Sequence, residues 1–200
     1  MIKNIIFDIG NVLLNFKPRE YMKELQLKDE IIDNMDRIIF KDKLWLEADR
    51  GTFTIQELIN ILIEKNPSYQ QQIETVLNKN WVEIHTRKED SINYMKELKE
   101  IGYNIYLLSN CSKEAHDFIM KYDFIRLING GVYSYELNIC KPEKDIYLEL
   151  VKKYNIKPEE SIFIDDNKDN IKASIELGFN GIVFDNLKDV KENVNKLINN

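Results

Sequence analysis

Four short, unbroken apolar runs, each followed at once by polar residues, are the feature that most limits how this chain can fold. The runs cover residues 5–7, 105–108, 162–164 and 181–184. A strand with helices on both faces of its sheet is apolar throughout, whereas a half-exposed strand alternates. Helical patterns separate the runs along the chain. This alternation predicts an α/β fold built on a Rossmann-like, doubly wound parallel sheet.

Local signals predict the remaining elements of the core. A fifth candidate strand lies near residues 126–128, which brings the predicted sheet to about five strands. One helix is predicted over residues 88–101, and Gly102 is suited to end it. Pro142 is suited to the first helical position of another helix. Gly178 is suited to end a third helix that begins near residue 168.

The spacing of the first two strands indicates a large insertion. About 90 residues separate them, far more than one crossover connection needs. The segment has no clear strand pattern, but Thr54 and Glu57 form a capping-box signature at the start of a helix. We therefore predict a core domain of residues 1–15 and 87–200, with an all-helical cap of residues 16–86 inserted into it.

The composition is typical of a soluble globular protein. Of the 200 residues, 44% are hydrophobic and 31% are charged, and the net charge is −6. An acidic balance disfavours a nucleic-acid partner, because such proteins need a basic face. No apolar run reaches the ~20 residues of a membrane helix, and the N-terminus lacks the apolar region of a signal peptide. We predict a cytoplasmic protein without membrane contact.

Polar side chains collect where the predicted strands end. In an open parallel sheet, ligands bind beyond the carboxyl ends of the strands. The residues at those ends, or directly before a predicted helix, are Asp8, Ser109, Asn110, Lys141, Asp165 and Asp166. Three carboxylates beside a lysine and a hydroxyl suit Mg²⁺ next to a phosphate, because Mg²⁺ prefers oxygen ligands. Without a cation the acids would repel one another and their pKa values would rise.

Four motifs in order give the chain a family resemblance. FDIGN (residues 7–11), LLSN (107–110), KP (141–142) and FIDDN (163–167) resemble the motifs of the haloacid dehalogenase superfamily. The helical insertion resembles that superfamily's type 1 cap. The first motif is similar to that of a subgroup with bacterial sugar-phosphate phosphatases, such as glucose-1-phosphate phosphatase. The resemblance implies a Mg²⁺-dependent phosphatase that acts on a small phosphorylated metabolite.

The resemblance also implies a nucleophile and a metal site. Asp8 would attack phosphorus and form an aspartyl-phosphate, which is a known use of carboxylates in covalent catalysis. Asp8, Asp166 and the main-chain carbonyl of Gly10 would hold Mg²⁺. Asp165 would lie in the outer shell of the metal or bind it through water.

Three further residues are implied to handle the phosphate. Ser109 and the main chain of Asn110 would hold the phosphoryl oxygens. Lys141 would neutralise both Asp8 and the transferring group. Phosphoryl transfer depends mainly on positioning and charge stabilisation, so these groups are sufficient in kind.

One position departs from the family pattern. Phosphatases of this superfamily usually carry a second Asp two residues after the nucleophile, where it protonates the leaving group and later activates water. This chain has Gly10 there. Members of the resembled sugar-phosphate phosphatase subgroup also carry Gly here, so activity is still expected. A good leaving group or a water would suffice in place of the acid, and His85 and His116 are candidates for a replacement. General acid–base catalysis contributes ~10²–10⁴-fold, so the missing carboxylate should have a measurable effect.

Two alternative functions remain open at this point. One is a 2-haloacid dehalogenase-like hydrolase, against which the pair Asp165 and Asp166 argues, since that enzyme would lack it. The other is a phosphate-binding regulatory module with little turnover, which Gly10 favours. In the predicted cap, Trp45 and Arg50 are candidates for substrate contact, because loops often carry specificity.

Overall fold

The computed structural model describes residues 1–199, whose strands form one central parallel sheet and one small antiparallel pair. The strands are β1 (Asn4–Phe7), β2 (Leu14–Phe16), β3 (His85–Arg87), β4 (Asn104–Ser109), β5 (Gly130–Tyr133), β6 (Ser161–Asp165) and β7 (Asn180–Val183). The parallel sheet has the order β5-β4-β1-β6-β7, and β2 pairs with β3. The predicted α/β fold with about five parallel strands is thus confirmed.

Helices cover both faces of the sheet and fill the insertion. In the insertion they are α1 (Pro18–Glu24), α2 (Asp29–Met35), α3 (Lys43–Asp49), α4 (Ile55–Lys65) and α5 (Gln70–Val76). In the core they are α6 (Glu89–Ile101), α7 (Lys113–Ile119), α8 (Ser134–Leu137), α9 (Lys144–Tyr154), α10 (Lys168–Glu176) and α11 (Leu187–Ile198). Within residues 1–199, no helix combines the length and the apolar character needed to cross a membrane.

Alternate residues of the central strand pack into different apolar clusters. Ile5 and Phe7 of β1 belong to the larger cluster, which continues into the insertion. Ile6 points to the other face and packs in a smaller cluster with residues of α9 and α10, such as Leu150 and Ile171. Because both faces are buried, the strand is apolar throughout, as the sequence pattern indicated.

The position of β1 in the middle of the sheet determines where the polar strand ends meet. Phe7 pairs with Leu107 of β4 on one side and with Ile164 of β6 on the other. The residues after these three pairing positions therefore lie along the same edge of the sheet. Asp8 and Asp165 are consequently neighbours, although they are 157 positions apart in the chain (165 minus 8).

The insertion is attached to the core through the antiparallel pair of β2 and β3. Phe16 pairs with His85, and Leu14 pairs with Arg87. The sequence showed no strand signal over residues 16–86, because strands of three residues are too short to display alternation. The predicted capping box of α4 is confirmed, since the side chains of Thr54 and Glu57 each accept a hydrogen bond from the other's main-chain N–H.

The predicted fifth strand was misplaced by a few residues. Residues 123–127 form a 3₁₀ turn, and the strand that pairs with β4 is Gly130–Tyr133. Gly130 and Gly131 begin that strand because the ring of Tyr154 lies against them: the Tyr154 hydroxyl accepts from the Gly131 N–H at 2.8 Å. A Cβ on Gly130 would lie 2.3 Å from that hydroxyl oxygen. Glycines add no apolar side chain to the pattern, so the strand was not visible in the sequence.

The prediction that Pro142 begins a helix was wrong. Helix α9 begins at Lys144, and Glu143 before it is extended. The Asn110 side chain explains the difference, because it accepts from the Lys141 N–H at 2.8 Å and donates to the Lys141 carbonyl at 3.0 Å. The main chain before Pro142 is thereby tied to the end of β4 instead of entering the helix.

Candidate active site

A cavity of about 130 Å³ opens at the carboxyl ends of β1 and β4, beneath the insertion. Its lining combines the polar strand ends with aromatic side chains from the insertion. From the core come Asp8, Ile9, Gly10, Asn11, Ser109, Asn110, Cys111, Ala115, Ile119 and Asp166, and from the insertion and its flanking strands Phe16, Trp45, Asp49, Trp81 and His85. Ligand pockets of drug size occupy ~300–1,000 Å³, so this cavity suits a small molecule.

Lys141 is the central cation of the site and is 3% exposed. Its ammonium lies 2.8 Å from Asp8 Oδ1 and 2.7 Å from Asp165 Oδ2. It also donates to the carbonyl of Leu108 at 2.8 Å. Burial by itself would lower the pKa of Lys141, but the two carboxylates outweigh it and the pKa is raised. The lysine therefore stays charged, with all three of its N–H donors used.

Asp165 positions its neighbours and has little capacity left for a ligand. The side chain is fully buried and accepts from the Lys141 ammonium. Its Oδ1 accepts from the main-chain N–H of Asn167 at 2.8 Å. The Asn170 amide lies 3.1 Å from both carboxylate oxygens. With each oxygen already accepting twice, Asp165 holds Lys141 in place.

Asp8 is buried, 7% exposed, and its only short contact to a cation in the described residues is Lys141. Burial raises the pKa of Asp8 to about 7, with Lys141 opposing the shift and Asp165 and Asp166 adding to it. Lys141 alone therefore does not offset the burial of Asp8 and the negative charge of its acidic neighbours. A bound cation beside Asp8 would favour its charged form, which is the form that attacks as a nucleophile.

The carboxylates of Asp8, Asp165 and Asp166 offer oxygen atoms that all lie within 4.8 Å of one another. Asp166 is exposed, and the Asn11 amide donates to it at 3.0 Å. A cluster of carboxylate oxygens next to a main-chain carbonyl is the donor set that Mg²⁺ prefers. The residues therefore fit the predicted metal, with Asp8 and Asp166 better placed for direct contact than the saturated Asp165.

The two residues that end β4 have different surroundings. Ser109 is 2% exposed and lines the cavity. Asn110 also lines the cavity, but its side chain is occupied by the main chain of Lys141. A phosphate role for Asn110 would therefore use its main chain, as predicted, while its side chain positions the lysine.

An aromatic wall of Phe16, Trp45, Trp81 and His85 closes the cavity on the side of the insertion. The rings of Trp45 and Trp81 meet edge to face with centroids 5.5 Å apart, and Phe16 lies 5.9 Å from Trp45. Burial lowers the pKa of His85, whose Nδ1 lies 3.0 Å from the carbonyl of Val82. His85 is therefore neutral at neutral pH. The structure places Trp45 in the cavity, as the sequence hypothesis required.

Two other candidates from the sequence lie outside the cavity. Arg50 makes an ion pair with Glu143 at 2.7 Å and exchanges hydrogen bonds with Asn138, so it joins the insertion to the core instead of facing a ligand. His116 packs against Tyr135 and lies 3.3 Å from Asp117. Neither lines the cavity, and His116 is not placed to serve as the replacement acid.

Asp49 is the residue of the cavity that sequence reasoning missed. It is the last residue of α3 and enters the site from the insertion. Burial raises the pKa of Asp49 to about 7, with the main chain of Ser112 opposing the shift and the charge of Asp8 adding to it. In the sequence it is one of 34 acidic residues. No motif marks it, because only the packing of the insertion on the core brings it into the cavity that Asp8 also lines.

The structure thus combines a parallel α/β sheet, acidic residues and a buried lysine at the strand ends, and a helical insertion after the first strand. The family model described as haloacid dehalogenase-like hydrolase matches residues 2–178. The chain therefore belongs to the haloacid dehalogenase-like hydrolases. This confirms the predicted family and the prediction of a hydrolytic enzyme.

The chain is also similar to two curated proteins and to one solved structure. It is 26% identical to D-ribitol-5-phosphate phosphatase of Bacteroides thetaiotaomicron, and the match covers 100% of both chains. It is 22% identical to a drimenol cyclase of Aspergillus calidoustus over 98% of its own length, but it spans only 37% of that protein. A haloacid dehalogenase family enzyme of B. thetaiotaomicron, solved as an alanine mutant with magnesium and inorganic phosphate, superposes with a TM-score of 0.75. That match has 21% identity and covers 95% of this chain and 99% of the other.

Proposed function

We propose that this protein is a Mg²⁺-dependent phosphatase that hydrolyses a small phosphate monoester through an aspartyl-phosphate on Asp8. The observation that carries the proposal is the buried ammonium of Lys141, 2.8 Å from Asp8 and 2.7 Å from Asp165, with Asp166 in the same acidic cluster. A charged lysine beside a buried carboxylate favours the ionised form of that carboxylate and compensates the charge of an incoming phosphate.

Asp8, Asp166 and the carbonyl of Gly10 would hold the metal, and Asp165 would support it from behind through Lys141 and Asn170. When bound, Mg²⁺ would supply positive charge for the phosphoryl oxygens. The relative solved with magnesium and inorganic phosphate supports this assignment. The surplus of carboxylate over lysine charge in the site supports it independently.

The chain's own residues have distinct tasks in the proposed reaction. The Asp8 carboxylate attacks phosphorus while Lys141 compensates the charge of the transferring group. Ser109 and the main chain of Asn110 hold the phosphoryl oxygens at the end of β4. Water then attacks the aspartyl-phosphate and releases inorganic phosphate.

We propose a sugar or polyol phosphate as the substrate class. The full-length relative named for D-ribitol 5-phosphate supports this choice. The cavity is small and joins an acidic, lysine-containing floor to an aromatic wall of Phe16, Trp45 and Trp81. Aromatic faces suit the C–H surface of a polyol, and the floor suits its phosphate. Residues 16–86 would then act as a cap that excludes water during the reaction.

A phosphate-release screen tests the proposal. Purified protein would be assayed with 4-nitrophenyl phosphate, ribitol 5-phosphate, glucose 1-phosphate and glycerol 3-phosphate, with Mg²⁺ and with excess EDTA. We expect turnover that needs Mg²⁺ and is abolished in Asp8→Asn. Halide release from a chlorinated acid without metal would favour the dehalogenase instead. Tight phosphate binding without turnover of any ester would favour the regulatory module.

A further inference from the structure

The site has room for an acid where the family usually carries one, yet Gly10 provides none. A Cβ built on Gly10 would meet no atom within 4 Å, so crowding does not explain the glycine. Hydrolysis of an alkyl phosphate needs a proton for the departing oxygen, because an alkoxide is a poor leaving group. If such esters are substrates, that proton comes from another group at the cavity or from a water.

Among the described residues that line the cavity, few can exchange a proton in the neutral range. Asp8 and Asp166 are committed to the phosphate and metal, and His85 is neutral and bonded to the carbonyl of Val82. Burial raises the pKa of the Cys111 thiol well above its ordinary value, so it stays protonated. Asp49 is the remaining carboxyl group, and it enters from the side opposite the sheet.

Asp49 is held over the cavity by a set of contacts that join the end of α3 to the core. Its main-chain carbonyl accepts from the Ser134 hydroxyl at 2.5 Å. The next residue, Arg50, accepts from the Asn138 amide at 3.0 Å and makes an ion pair with Glu143. Gly51 follows with φ +79°, and a Cβ there would lie 2.7 Å from the Tyr135 carbonyl oxygen. These contacts fix the main chain on both sides of the carboxyl group.

The groups around Asp49 favour its protonated form without removing its ability to ionise. Desolvation and the charge of Asp8 act against the carboxylate, while the main chain of Ser112 and the charge of Lys141 support it. The thiols of Cys111 and Cys140 lie close enough for the charge of Asp49 to raise their pKa values. No lysine or arginine within the described residues forms a salt bridge with Asp49, so nothing locks the group in one state.

We propose that Asp49, supplied by the insertion, is the general acid and base of this site in place of the carboxylate missing at Gly10. The inference rests on the proposed phosphatase function. In the first half-reaction an Asp8 oxygen bonds to phosphorus, the bond from phosphorus to the ester oxygen breaks, and that oxygen takes the proton of Asp49. An alcohol leaves, and Asp49 remains as a carboxylate.

The second half-reaction returns the proton. A water oxygen bonds to phosphorus, its proton passes to the Asp49 carboxylate, and the bond from phosphorus to Asp8 breaks. Inorganic phosphate leaves, and both aspartates recover their starting forms. One water is consumed for each ester hydrolysed, so the cycle needs no other reactant.

Asp49→Asn tested on two kinds of ester separates an acid–base role from a structural one. With the alkyl ester that the wild type hydrolyses fastest among ribitol 5-phosphate and glycerol 3-phosphate, we expect kcat to fall ~10²–10⁴-fold. With 4-nitrophenyl phosphate, whose leaving group needs no proton, the first half-reaction should change less than about tenfold. The variant should then accumulate phosphoenzyme, seen as an intact mass increased by one phosphoryl group, because hydrolysis lacks its base.

Two further variants complete the design. Asp49→Glu keeps a carboxyl group and should retain more alkyl-ester activity than Asp49→Asn. Glu64→Gln removes an exposed carboxylate of the insertion that does not line the cavity, and its activity should match the wild type. Circular dichroism of each variant checks that it is folded.

The outcomes distinguish this inference from the function on which it rests. Unchanged alkyl-ester turnover in Asp49→Asn, or an equal loss with both esters and no phosphoenzyme, would overturn the role of Asp49 and leave the phosphatase intact. A wild-type protein that hydrolyses no ester with Mg²⁺ would overturn the phosphatase itself. A selective alkyl-ester loss with trapped phosphoenzyme would support both.

Discussion

At the scale of single residues, Lys141 shows how a charge can be buried without loss of its ionisation. Three acceptors surround its three donors, two of them carboxylates. Removing the lysine would leave Asp8 and Asp165 facing each other without a cation. Breaking a buried ion pair on one side costs more than the pair itself contributes, because an uncompensated charge stays behind.

We therefore expect Lys141→Ala to lower the free energy of unfolding by about 3–5 kcal/mol in Mg²⁺-free buffer at neutral pH. Urea denaturation followed by circular dichroism measures the change. Lys144→Ala is the matched control, because Lys144 is exposed and pairs with an exposed Glu176 at 3.1 Å. The free energy of unfolding of that control should fall by less than about 1 kcal/mol. Equal losses in the two variants would contradict the central role of Lys141.

The raised pKa of Asp49 predicts a pH-dependent stability. Its pKa is about 7 in the folded protein against an ordinary 3.8, so the folded state binds the proton more tightly. The resulting stabilisation is complete below pH ~4 and is lost as pH rises through about 7. Asp49→Asn lacks this loss. In urea titrations without metal, the free energy of unfolding of the variant relative to the wild type should rise by on the order of 2 kcal/mol between pH 5 and pH 8.

Open space beside Gly10 makes a rescue possible. Gly10→Asp would place a carboxyl group two residues after Asp8, where a Cβ meets no atom within 4 Å. In the Asp49→Asn background we expect Gly10→Asp to raise alkyl-ester turnover at least about tenfold, since general acid catalysis is worth ~10²–10⁴-fold. Gly10→Asn in the same background is the control, because it fills the space without supplying a proton. Equal rates in the two double variants would mean that a missing general acid does not limit turnover in Asp49→Asn.

The polar strand ends could be predicted from the sequence because each directly follows an apolar run. That rule found Asp8, Ser109, Asp165 and their neighbours, and the register of β1 with β4 and β6 explains why they meet. Asp49 could not be found in this way. Its place depends on how α3 packs against the core through Ser134, a contact between residues 85 positions apart.

At the scale of elements, buried strands were predicted well and short or glycine-containing ones were not. Strand β5 begins with two glycines, which contribute no apolar signal although Gly130 packs closely against Tyr154. Strands β2 and β3 have three residues each, too few for a periodic pattern. The start of α9 moved to Lys144 because a side chain from β4 binds the main chain before it. Such tertiary contacts override local preference.

The turn after α3 is the element most sensitive to a small substitution. Gly51→Ala combines a left-handed φ of +79° with a Cβ 2.7 Å from the Tyr135 carbonyl oxygen. We expect a loss of about 2–4 kcal/mol in unfolding free energy. Phosphatase turnover should also fall, because Asp49 is displaced. Gly102→Ala shares the positive φ, +113°, but its Cβ would meet nothing within 4 Å.

Gly102→Ala should therefore cost only about 1–2 kcal/mol, the strain of the backbone alone, and leave turnover unchanged. Thermal unfolding and ester hydrolysis measured on both variants would show the contrast. The same loss of turnover in the two would mean that the close approach of Gly51 to Tyr135 has no bearing on the site.

At the scale of the whole molecule, the acidic cluster predicts that metal binding stabilises the fold. The carboxylates of Asp8, Asp165 and Asp166 lie at the carboxyl ends of the neighbouring strands β1 and β6. A ligand present at 100 times its Kd raises the free energy of unfolding by ~2.7 kcal/mol. Mg²⁺ should therefore raise Tm in the wild type and have little effect in Asp166→Asn. Asp169→Asn, an exposed acid three residues along, should respond like the wild type.

Because β2 and β3 pair side by side, the chain leaves the core and returns to it at adjacent positions. Three residue pairs connect the two strands there. A longer insertion between these strands adds little to the entropic cost of loop closure, because that cost grows only as the logarithm of loop length. The entire insertion could thus be replaced during evolution, which would change the molecules recognised, while the sheet and Lys141 stay the same. By the same logic, the proposed role of Asp49 would tie one chemical task to the insertion, so a transplanted insertion would have to bring its own acid.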